Sequence, residues 1–209
     1  MILLNAGINN MNINNTLHKL KSGESVKLAA LGDSLTYGWM TQYGFLDYLE
    51  ILVKKKYSKS ELLIFNKGVP GDTAKDGLYR VEKDVIKLSP DLVFIQFALN
   101  DAYSGCTVNE FQKNIESIIV KIKDRLNSEI ALLTSVAIQD NGMNKIANEF
   151  YMRIVKSGEK FKLPVVSVHK YWEKKIASGI NHSLLVQYDG VHPTEKGYEL
   201  MAEAVFELF

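Results

Sequence analysis

Five short, almost uninterrupted apolar segments recur along the chain, with longer amphipathic stretches between them. They span residues 26–31, 62–65, 92–98, 130–133 and 165–168. Segments of this kind, which lack strict alternation of polar and apolar residues, are typical of parallel strands buried on both faces. Because parallel strands must be joined by crossover connections, usually helices, the pattern predicts an α/β fold.

Helical periodicity fills the stretches between the predicted strands. Helices are predicted near residues 42–56, 73–88, 108–126 and 144–161, with a last one after Pro193. In the third of these, one stripe carries Ile115, Ile118, Ile119, Ile122 and Leu126. Thr107 and Glu110 have the spacing of a capping box at its start. Strands and helices in alternation predict a three-layer α/β/α sandwich, flavodoxin-like, with a parallel sheet of about five strands.

The length of 209 residues suits one domain with a sizeable core. We expect residues 26–209 to form that domain. Residues 1–25 are an Asn-rich extension that is predicted to be partly helical or flexible, and Leu17 and Leu20 could place one docking helix there.

Charge and cysteine content restrict the classes of partner. The 25 Lys and Arg nearly balance the 24 Asp and Glu, so no basic surface for nucleic acid is expected. A single cysteine, Cys106, excludes an internal disulfide and a multi-cysteine zinc site. No apolar run approaches the roughly 18 residues of a membrane helix, and the amino terminus does not resemble a secretory signal. We therefore expect a soluble, cytoplasmic protein without membrane insertion, acting on a small molecule, while its oligomeric state stays open.

Gly32-Asp33-Ser34 follows the first predicted strand directly. Glycine permits a sharp bend there, which would leave Ser34 at the carboxyl end of a strand, where open α/β sheets bind ligands. An isolated Asp-Ser is also a common helix N-cap, so this tripeptide alone does not identify a nucleophile.

Three further polar motifs fall at predicted turns. They are Asn66-Lys67-Gly68-Val69-Pro70-Gly71-Asp72-Thr73, Ala98-Leu99-Asn100-Asp101 and Asp189-Gly190-Val191-His192-Pro193-Thr194. The first two follow predicted strands, as Ser34 does, so their residues are expected at the same edge of the sheet.

Asp189 stands three residues before His192, on a predicted tight turn. Such a carboxylate can accept a hydrogen bond from the imidazole Nδ1–H and so fix the tautomer. Nε2 is then free to take a proton from a serine hydroxyl, which is otherwise a poor nucleophile at neutral pH.

The four motifs, in this order, resemble those of the SGNH hydrolases, the GDSL-type esterases and lipases, over roughly residues 26–209. The resemblance implies that Ser34 is the nucleophile, His192 the general base and acid, and Asp189 the residue that orients His192. It also implies an oxyanion hole made by the Ser34 and Gly71 backbone N–H groups and the Asn100 side chain. Gly68 competes with Gly71, and only the family alignment favours Gly71. Ala98 stands where the family usually has glycine.

The resemblance implies acyl transfer through an acyl-enzyme, with no metal and no cofactor. We expect a hydrolase of carboxylic esters that prefers short acyl groups. A carbohydrate O-deacetylase, a lysophospholipase and a thioesterase of the same family are alternatives, as is a non-catalytic module that binds carbohydrate or acyl ligands. A flavin or nucleotide binder is a further alternative, but this chain lacks the glycine-rich motif that such proteins usually carry. A metallohydrolase would need ligands among Asp33, Asn100, Asp101, Asp189 and His192.

Other polar residues near the motifs have less specific interpretations. Asp33 and Asp101 are expected to support the turns, and Cys106 to fill space. His169 is the main competitor of His192 because it follows the fifth predicted strand, whereas His18 and His182 are expected to be exposed or to cap locally. The side chains that could either shape a substrate pocket or only pack at its edge are Tyr37, Trp39, Met40, Tyr103 and Tyr188.

Overall fold

A computed structural model describes residues 12–209 and has a five-stranded parallel sheet at its centre. The strands are β1 (Val26–Gly32), β2 (Leu62–Gly68), β3 (Leu92–Gln96), β4 (Glu129–Leu133) and β5 (Val165–Val166). Their spatial order is β2-β1-β3-β4-β5, and all pairs are parallel. The predicted flavodoxin-like sandwich is confirmed.

Helices cover both faces of the sheet. They are α1 (Asn14–Ser22), α2 (Ser34–Tyr37), α3 (Phe45–Lys56), α4 (Ala74–Asp84), α5 (Leu99–Tyr103), α6 (Val108–Arg125), α7 (Asn141–Phe161), α8 (Val168–Ala177) and α9 (Glu195–Phe206). Helix α9 packs against α3 and α8, whereas α6 packs against α4 and α7. Within residues 12–209, no helix is both long and apolar enough to cross a bilayer.

The burial of the strands explains their hydrophobic sequence. Every residue of β3 is buried, and β1 is buried except for Lys27. By contrast, β2 lies at the edge of the sheet and is only partly covered. The central strands therefore need apolar side chains on both faces, which is why their sequence shows no alternation.

Two predicted strands are shorter than expected. The third ends at Gln96 rather than Ala98, and the fifth ends at Val166 rather than Val168. Pairing of β4 with β5 ends at Leu133 and Val166, and Val168 instead begins α8. Helix α8 was not predicted, because Val168 continues an apolar segment that is typical of a strand. In the structure, Val168 and Trp172 are instead buried residues of α8.

Capping residues set the ends of the predicted helices. The Thr107–Glu110 capping box is confirmed. Helix α7 starts three residues earlier than predicted, because the Asp140 side chain accepts a hydrogen bond from the Met143 N–H at 2.8 Å. Helix α4 ends at Asp84, and a single 3-10 turn, Ile86–Leu88, completes the predicted segment.

Helix α1 lies within the predicted extension of residues 1–25, of which residues 1–11 lie outside the described part of the chain. Leu20 is buried and Leu17 partly buried against the core. The Glu129 carboxylate accepts hydrogen bonds from the Asn15 and Thr16 N–H groups at 2.9 and 2.8 Å. The first turn of α1 is thus held at the start of β4.

The ends of the three neighbouring strands β2, β1 and β3 lie level with one another. Gly32 of β1 is in register with Gly68 of β2 and with Gln96 of β3. The chain leaves β1 towards β2 and later continues from β3 in the opposite direction, so the strand order reverses between β1 and β3. Such switch points form the crevices in which open α/β sheets bind ligands.

Gly197 lets the first turn of α9 approach the segment that precedes the His192 loop. A Cβ at this position would overlap the backbone oxygen of Leu185 and lie 2.9 Å from the ring of Trp172. We expect Gly197→Ala to destabilise the protein by roughly 1–3 kcal/mol, because overpacking outweighs the better helix propensity of alanine.

Urea unfolding of Gly197→Ala measures this loss, with Lys196→Ala as a control on the exposed side of the same turn. The control should stay within about 0.5 kcal/mol of wild type. A Gly197→Ala protein as stable as wild type would show that α9 can shift away from Leu185 at no cost.

Candidate active site

Ser34 begins the short helix α2, directly after β1. Asp33 caps this helix by accepting a hydrogen bond from the Leu35 N–H at 2.9 Å. A Cβ at position 32 would overlap the Thr36 hydroxyl oxygen and lie 2.7 Å from the Gln96 carbonyl oxygen, so the turn requires glycine there. The capping and nucleophile interpretations of Gly32-Asp33-Ser34 are therefore compatible, since Asp33 provides the cap and the Ser34 hydroxyl is not used for capping.

His192 lies against Ser34 although 158 positions separate them in the chain. Its Nε2 is 3.0 Å from the Ser34 Oγ, and its Nδ1 is 2.6 Å from Asp189 Oδ2. Asp189 Oδ1 accepts hydrogen bonds from the Val191 and His192 N–H groups, both at 2.9 Å. The hydroxyl, the imidazole and the carboxylate thus form a continuous hydrogen-bonded series.

The surroundings of Asp189 favour its charged form. Desolvation opposes ionisation, but the hydrogen bonds from the His192 ring and from the two backbone N–H groups hold the pKa of Asp189 below its usual value. A carboxylate that is ionised and fixed in this way accepts a hydrogen bond from the Nδ1–H and leaves Nε2 as the acceptor for the serine proton.

Gln187 holds the loop that carries Asp189 and His192. Its backbone N–H donates to the His192 carbonyl at 2.7 Å, and its own carbonyl accepts from the Gly190 N–H at 2.9 Å. Its side-chain amide donates to the Trp39 carbonyl at 3.0 Å and to the Pro193 carbonyl at 2.9 Å. The loop is thereby fastened to the segment that follows Ser34, a role that sequence reasoning missed because a lone glutamine has no local signature.

The turn that contains Gly71 and the side chain of Asn100 are joined by a hydrogen bond. Residues 69–72 form a reverse turn in which the Asp72 N–H donates to the Val69 carbonyl at 3.1 Å and Gly71 has a φ of +88°. Type II turns require such a φ at their third position. The Asn100 amide donates to the Asp72 carbonyl at 2.8 Å, which leaves its second N–H available.

The two candidate glycines differ in their hydrogen bonding. The Gly68 N–H donates to the Asn66 side chain at 2.9 Å, and a Cβ there would overlap the backbone of Tyr37. The Gly71 N–H has no acceptor among residues 12–209. Gly68 therefore allows α2 to pack closely on β2, whereas the Gly71 N–H is available to donate a hydrogen bond to a ligand.

Asp33 and Asp101 are buried behind the site, as expected of residues that support the turns. Asp101 accepts a hydrogen bond from the Ala74 N–H, at 3.1 Å to each oxygen, and so holds the first residue of α4. Burial raises the pKa of each of the two carboxyl groups to about 7, and hydrogen bonds from backbone N–H groups only partly offset it.

A buried polar network extends from Asp33 beneath the sheet edge. Gln96 at the end of β3 donates to Ser135 at 2.8 Å and to Asp33 at 3.4 Å, and its oxygen accepts from Thr36 at 2.6 Å. Gln96 and Ser135 have no motif around them, so only the fold reveals that they support the turn before Ser34.

The other histidines and Cys106 lie apart from this series. His169 is buried with its Nδ1 2.8 Å from the Thr134 hydroxyl, and burial lowers its pKa to about 4. His182 bonds to the Ala137 carbonyl at 3.1 Å, and His18 is exposed on α1. Cys106 is half-buried, and burial raises the pKa of its thiol, so it has the character of a packed side chain.

The aromatic residues near the site are largely exposed. The Trp39 ring lies 6.2 Å from the His192 ring and 6.5 Å from the Tyr37 ring. Tyr188 is 95% exposed and lines an open cavity of about 340 Å³ beside Asp189. Within residues 12–209, no group of three or more His, Cys, Asp or Glu is placed to hold a metal ion.

The model of the GDSL-like lipase/acylhydrolase family matches residues 30–200. An acetylxylan esterase of Geobacillus stearothermophilus is 24% identical over 210 residues, which cover 88% of this chain and 94% of that enzyme. An arylesterase of Vibrio mimicus is 23% identical over 194 residues, 88% of either chain.

The crystal structure of the acetylxylan esterase has the same fold, with a TM-score of 0.80 at 22% identity, covering 90% of this chain and 95% of that structure. Catalytic mutants of that enzyme, in which a serine, an aspartate or a histidine is replaced by alanine, superpose with TM-scores of 0.78, 0.78 and 0.77.

The raised pKa of Asp33 predicts a pH-dependent contribution to stability. In the folded protein the pKa is about 7, against 3.8 ordinarily. Between these values the folded state keeps a proton that the unfolded state releases, so the contribution of Asp33 falls as the pH rises. Buried His169, with its pKa lowered to about 4, changes in the opposite direction below its ordinary value of 6.5. A comparison with Asp33→Asn is therefore needed to isolate the aspartate.

We expect the stability of wild type minus that of Asp33→Asn to fall by roughly 2 kcal/mol between pH 5 and pH 8. Urea unfolding at intermediate pH values gives this difference, and Asp124→Asn on the exposed side of α6 is the control. If the two stability curves ran parallel, Asp33 would be ionised throughout this range.

Proposed function

The chain belongs to the GDSL-like lipase/acylhydrolase family and is a carboxylic ester hydrolase, and we propose that it works through Ser34, His192 and Asp189. The observation that carries this proposal is the 3.0 Å contact between the Ser34 Oγ and the His192 Nε2, with Asp189 bonded to the opposite nitrogen. A serine that lacks a base beside it would not react at neutral pH.

In the proposed acylation step, the Ser34 Oγ attacks the ester carbonyl carbon while its proton moves to the His192 Nε2. The Asp189 carboxylate stabilises the resulting imidazolium and keeps its ring oriented. When the tetrahedral intermediate collapses, the carbon–oxygen bond to the alcohol breaks and His192 returns the proton to the alcohol oxygen. The products of this step are the free alcohol and an ester of Ser34.

Deacylation uses the same groups in reverse. His192 removes a proton from a water molecule, whose oxygen attacks the Ser34 ester, and then protonates the Ser34 Oγ as the acid leaves. The proposed steps require neither a metal nor an organic cofactor. His192 takes up a proton in the first part of each half-reaction and gives it back in the second part, so it ends each half-reaction as it began.

The negative charge of the tetrahedral intermediates would be held by the Ser34 N–H, the Gly71 N–H and the second N–H of the Asn100 amide. We favour Gly71 over Gly68 because the Gly68 N–H already donates to Asn66. The Asn100 amide is oriented by its bond to the Asp72 carbonyl, so it is fixed before substrate arrives. Donors fixed in advance stabilise the transition state without a reorganisation cost.

The mutants of the related acetylxylan esterase support these assignments. The catalytic residues replaced in that enzyme are a serine, an aspartate and a histidine, and its aspartate and histidine are three positions apart. Asp189 and His192 have the same types and spacing, although the two chains are only about a fifth identical.

We propose short acyl groups, acetyl above all, as the preferred acids. A carbohydrate O-deacetylase is the favoured second candidate because the acetylxylan esterase aligns over 94% of its length with this chain. The exposed rings of Tyr37, Trp39 and Tyr188 around the site fit a substrate that stays partly in solvent. Lysophospholipids and thioesters are the less favoured substrates.

The proposed nucleophile and acyl preference are tested together with p-nitrophenyl acetate, butyrate and octanoate. We expect the order acetate, butyrate, octanoate in kcat/KM, and a loss of at least about 10³-fold in Ser34→Ala. Addition of a chelator should leave the wild-type rate unchanged. Acetylated xylooligosaccharides assayed by acetate release test the carbohydrate candidate.

A Ser34→Ala protein that retained the wild-type rate would overturn the nucleophile assignment. A wild-type protein active on octanoate and not on acetate would overturn the short-chain preference, and inhibition by the chelator would favour a metallohydrolase.

Asn100→Ala tests the proposed oxyanion hole. Loss of one donor should lower kcat by about 10²- to 10³-fold with little change in KM, because the bond forms mainly in the transition state. Steady-state kinetics on p-nitrophenyl acetate measure this, with exposed Asn127→Ala as the matched control. A rise in KM at constant kcat would instead assign Asn100 to substrate binding.

A further inference from the structure

Arg80 on α4 has a side chain that is 13% exposed and is surrounded by acceptors. Its Nε donates to Asp72 Oδ2 at 2.6 Å, and its Nη1 donates to the Lys67 carbonyl at 2.8 Å and to Asp84 Oδ2 at 2.9 Å. Its Nη2 donates to the Gly32 carbonyl at 2.8 Å. Four of the five guanidinium N–H groups are therefore used.

These acceptors belong to different parts of the chain. The Gly32 carbonyl closes β1 immediately before Asp33 and Ser34, and the Lys67 carbonyl lies near the end of β2. Asp72 is the last residue of the reverse turn that contains Gly71. A single planar group thus joins the ends of β1 and β2 and the turn that follows β2 at fixed distances.

The third proposed donor is connected through Asp72. The Arg80 guanidinium holds the Asp72 carboxylate, and the carbonyl of the same residue accepts the hydrogen bond that orients the Asn100 amide. A displaced Asp72 would move both the Gly71 N–H and the Asn100 side chain.

We propose that Arg80 is a positioning residue for the oxyanion hole, fixing the turns that carry Ser34, Gly71 and Asn100 without touching the substrate. The inference rests on the proposed function of these three residues. Asp84, one turn further along α4, accepts a hydrogen bond from the Arg80 Nη1 and so helps to orient the guanidinium.

The geometry of the guanidinium explains why lysine could not replace it. A lysine ammonium could pair with Asp72, but it could not also reach the Gly32 and Lys67 carbonyls in one plane. Arg80→Lys therefore keeps the charge and removes the bridge. Since small displacements of positioned groups cost up to about 10²-fold in rate, we expect kcat to fall by about 10- to 100-fold with KM nearly unchanged.

The test is hydrolysis of p-nitrophenyl acetate by wild type, Arg80→Lys, Asn100→Ala and the double variant, with rates normalised to the folded fraction from near-UV circular dichroism. Arg125→Lys is the matched control, because Arg125 pairs with Glu82 on the exposed surface. If Arg80 acts through Asp72 on Asn100, Arg80→Lys should cost clearly less in the Asn100→Ala background than in wild type.

Asp84→Asn keeps the experiment decisive if Arg80→Lys does not fold. This substitution removes the charge that pairs with Arg80 on α4, so the guanidinium is held less firmly. It should lower kcat by a smaller factor than Arg80→Lys does.

Each remaining outcome has one meaning. An unchanged kcat per folded molecule in Arg80→Lys, or in Asp84→Asn where only that variant folds, would overturn the inference. Losses in Arg80→Lys and Asn100→Ala that multiply fully would overturn the connection through Asp72 to Asn100 and confine the role of Arg80 to the turns of Ser34 and Gly71. A proposed function that fails shows itself separately, as a Ser34→Ala protein with the wild-type rate.

Discussion

The level carboxyl ends of β1, β2 and β3 are the constraint on which the site depends. Gly32 is in register with Gly68 on one side and with Gln96 on the other, so the turns that follow all begin at the same height. A register shift of one residue would move a whole turn by about 3.3 Å along its strand. The hydrogen bond between the Asn100 amide and the Asp72 carbonyl would not survive such a shift.

The site has two halves that are built by different means. The half that is proposed to transfer the proton is local, because Asp189 receives its hydrogen bonds from residues at most three positions away. The half that would hold the oxyanion is distributed over three turns, and its parts meet only through Asp72, Arg80 and the sheet. Local geometry can be specified by a short motif, whereas distributed geometry needs the register of the strands and the burial of the groups behind them.

This difference explains which parts of the fold and of the site could be predicted from the sequence. The apolar segments predicted the sheet because burial on both faces leaves a simple pattern, and the residues of the four motifs do lie at one edge. The carboxyl end of β5 and the helix α8 were missed, because an apolar run cannot show where strand pairing stops. Gln96 and Gln187 were missed because their side chains bond to residues 39 to 148 positions away or to backbone carbonyls, which have no signature in sequence. Arg80 was missed because its nearby carboxylates, Asp72 and Asp84, do not show that its guanidinium also reaches the Gly32 carbonyl, 48 positions away.

The 158 positions between Ser34 and His192 also bear on how the molecule matures. A contact between such distant residues requires closure of a long loop, which costs chain entropy before the contact is gained. As the chain is synthesised, the β1 turn with its serine emerges early, while the imidazole emerges only after β5 and α8. In the proposed site, Ser34 thus gains its base only when the loop that carries His192 has docked, and a chain in which that loop is undocked carries an unactivated serine. Activity would accordingly report the docking of this loop.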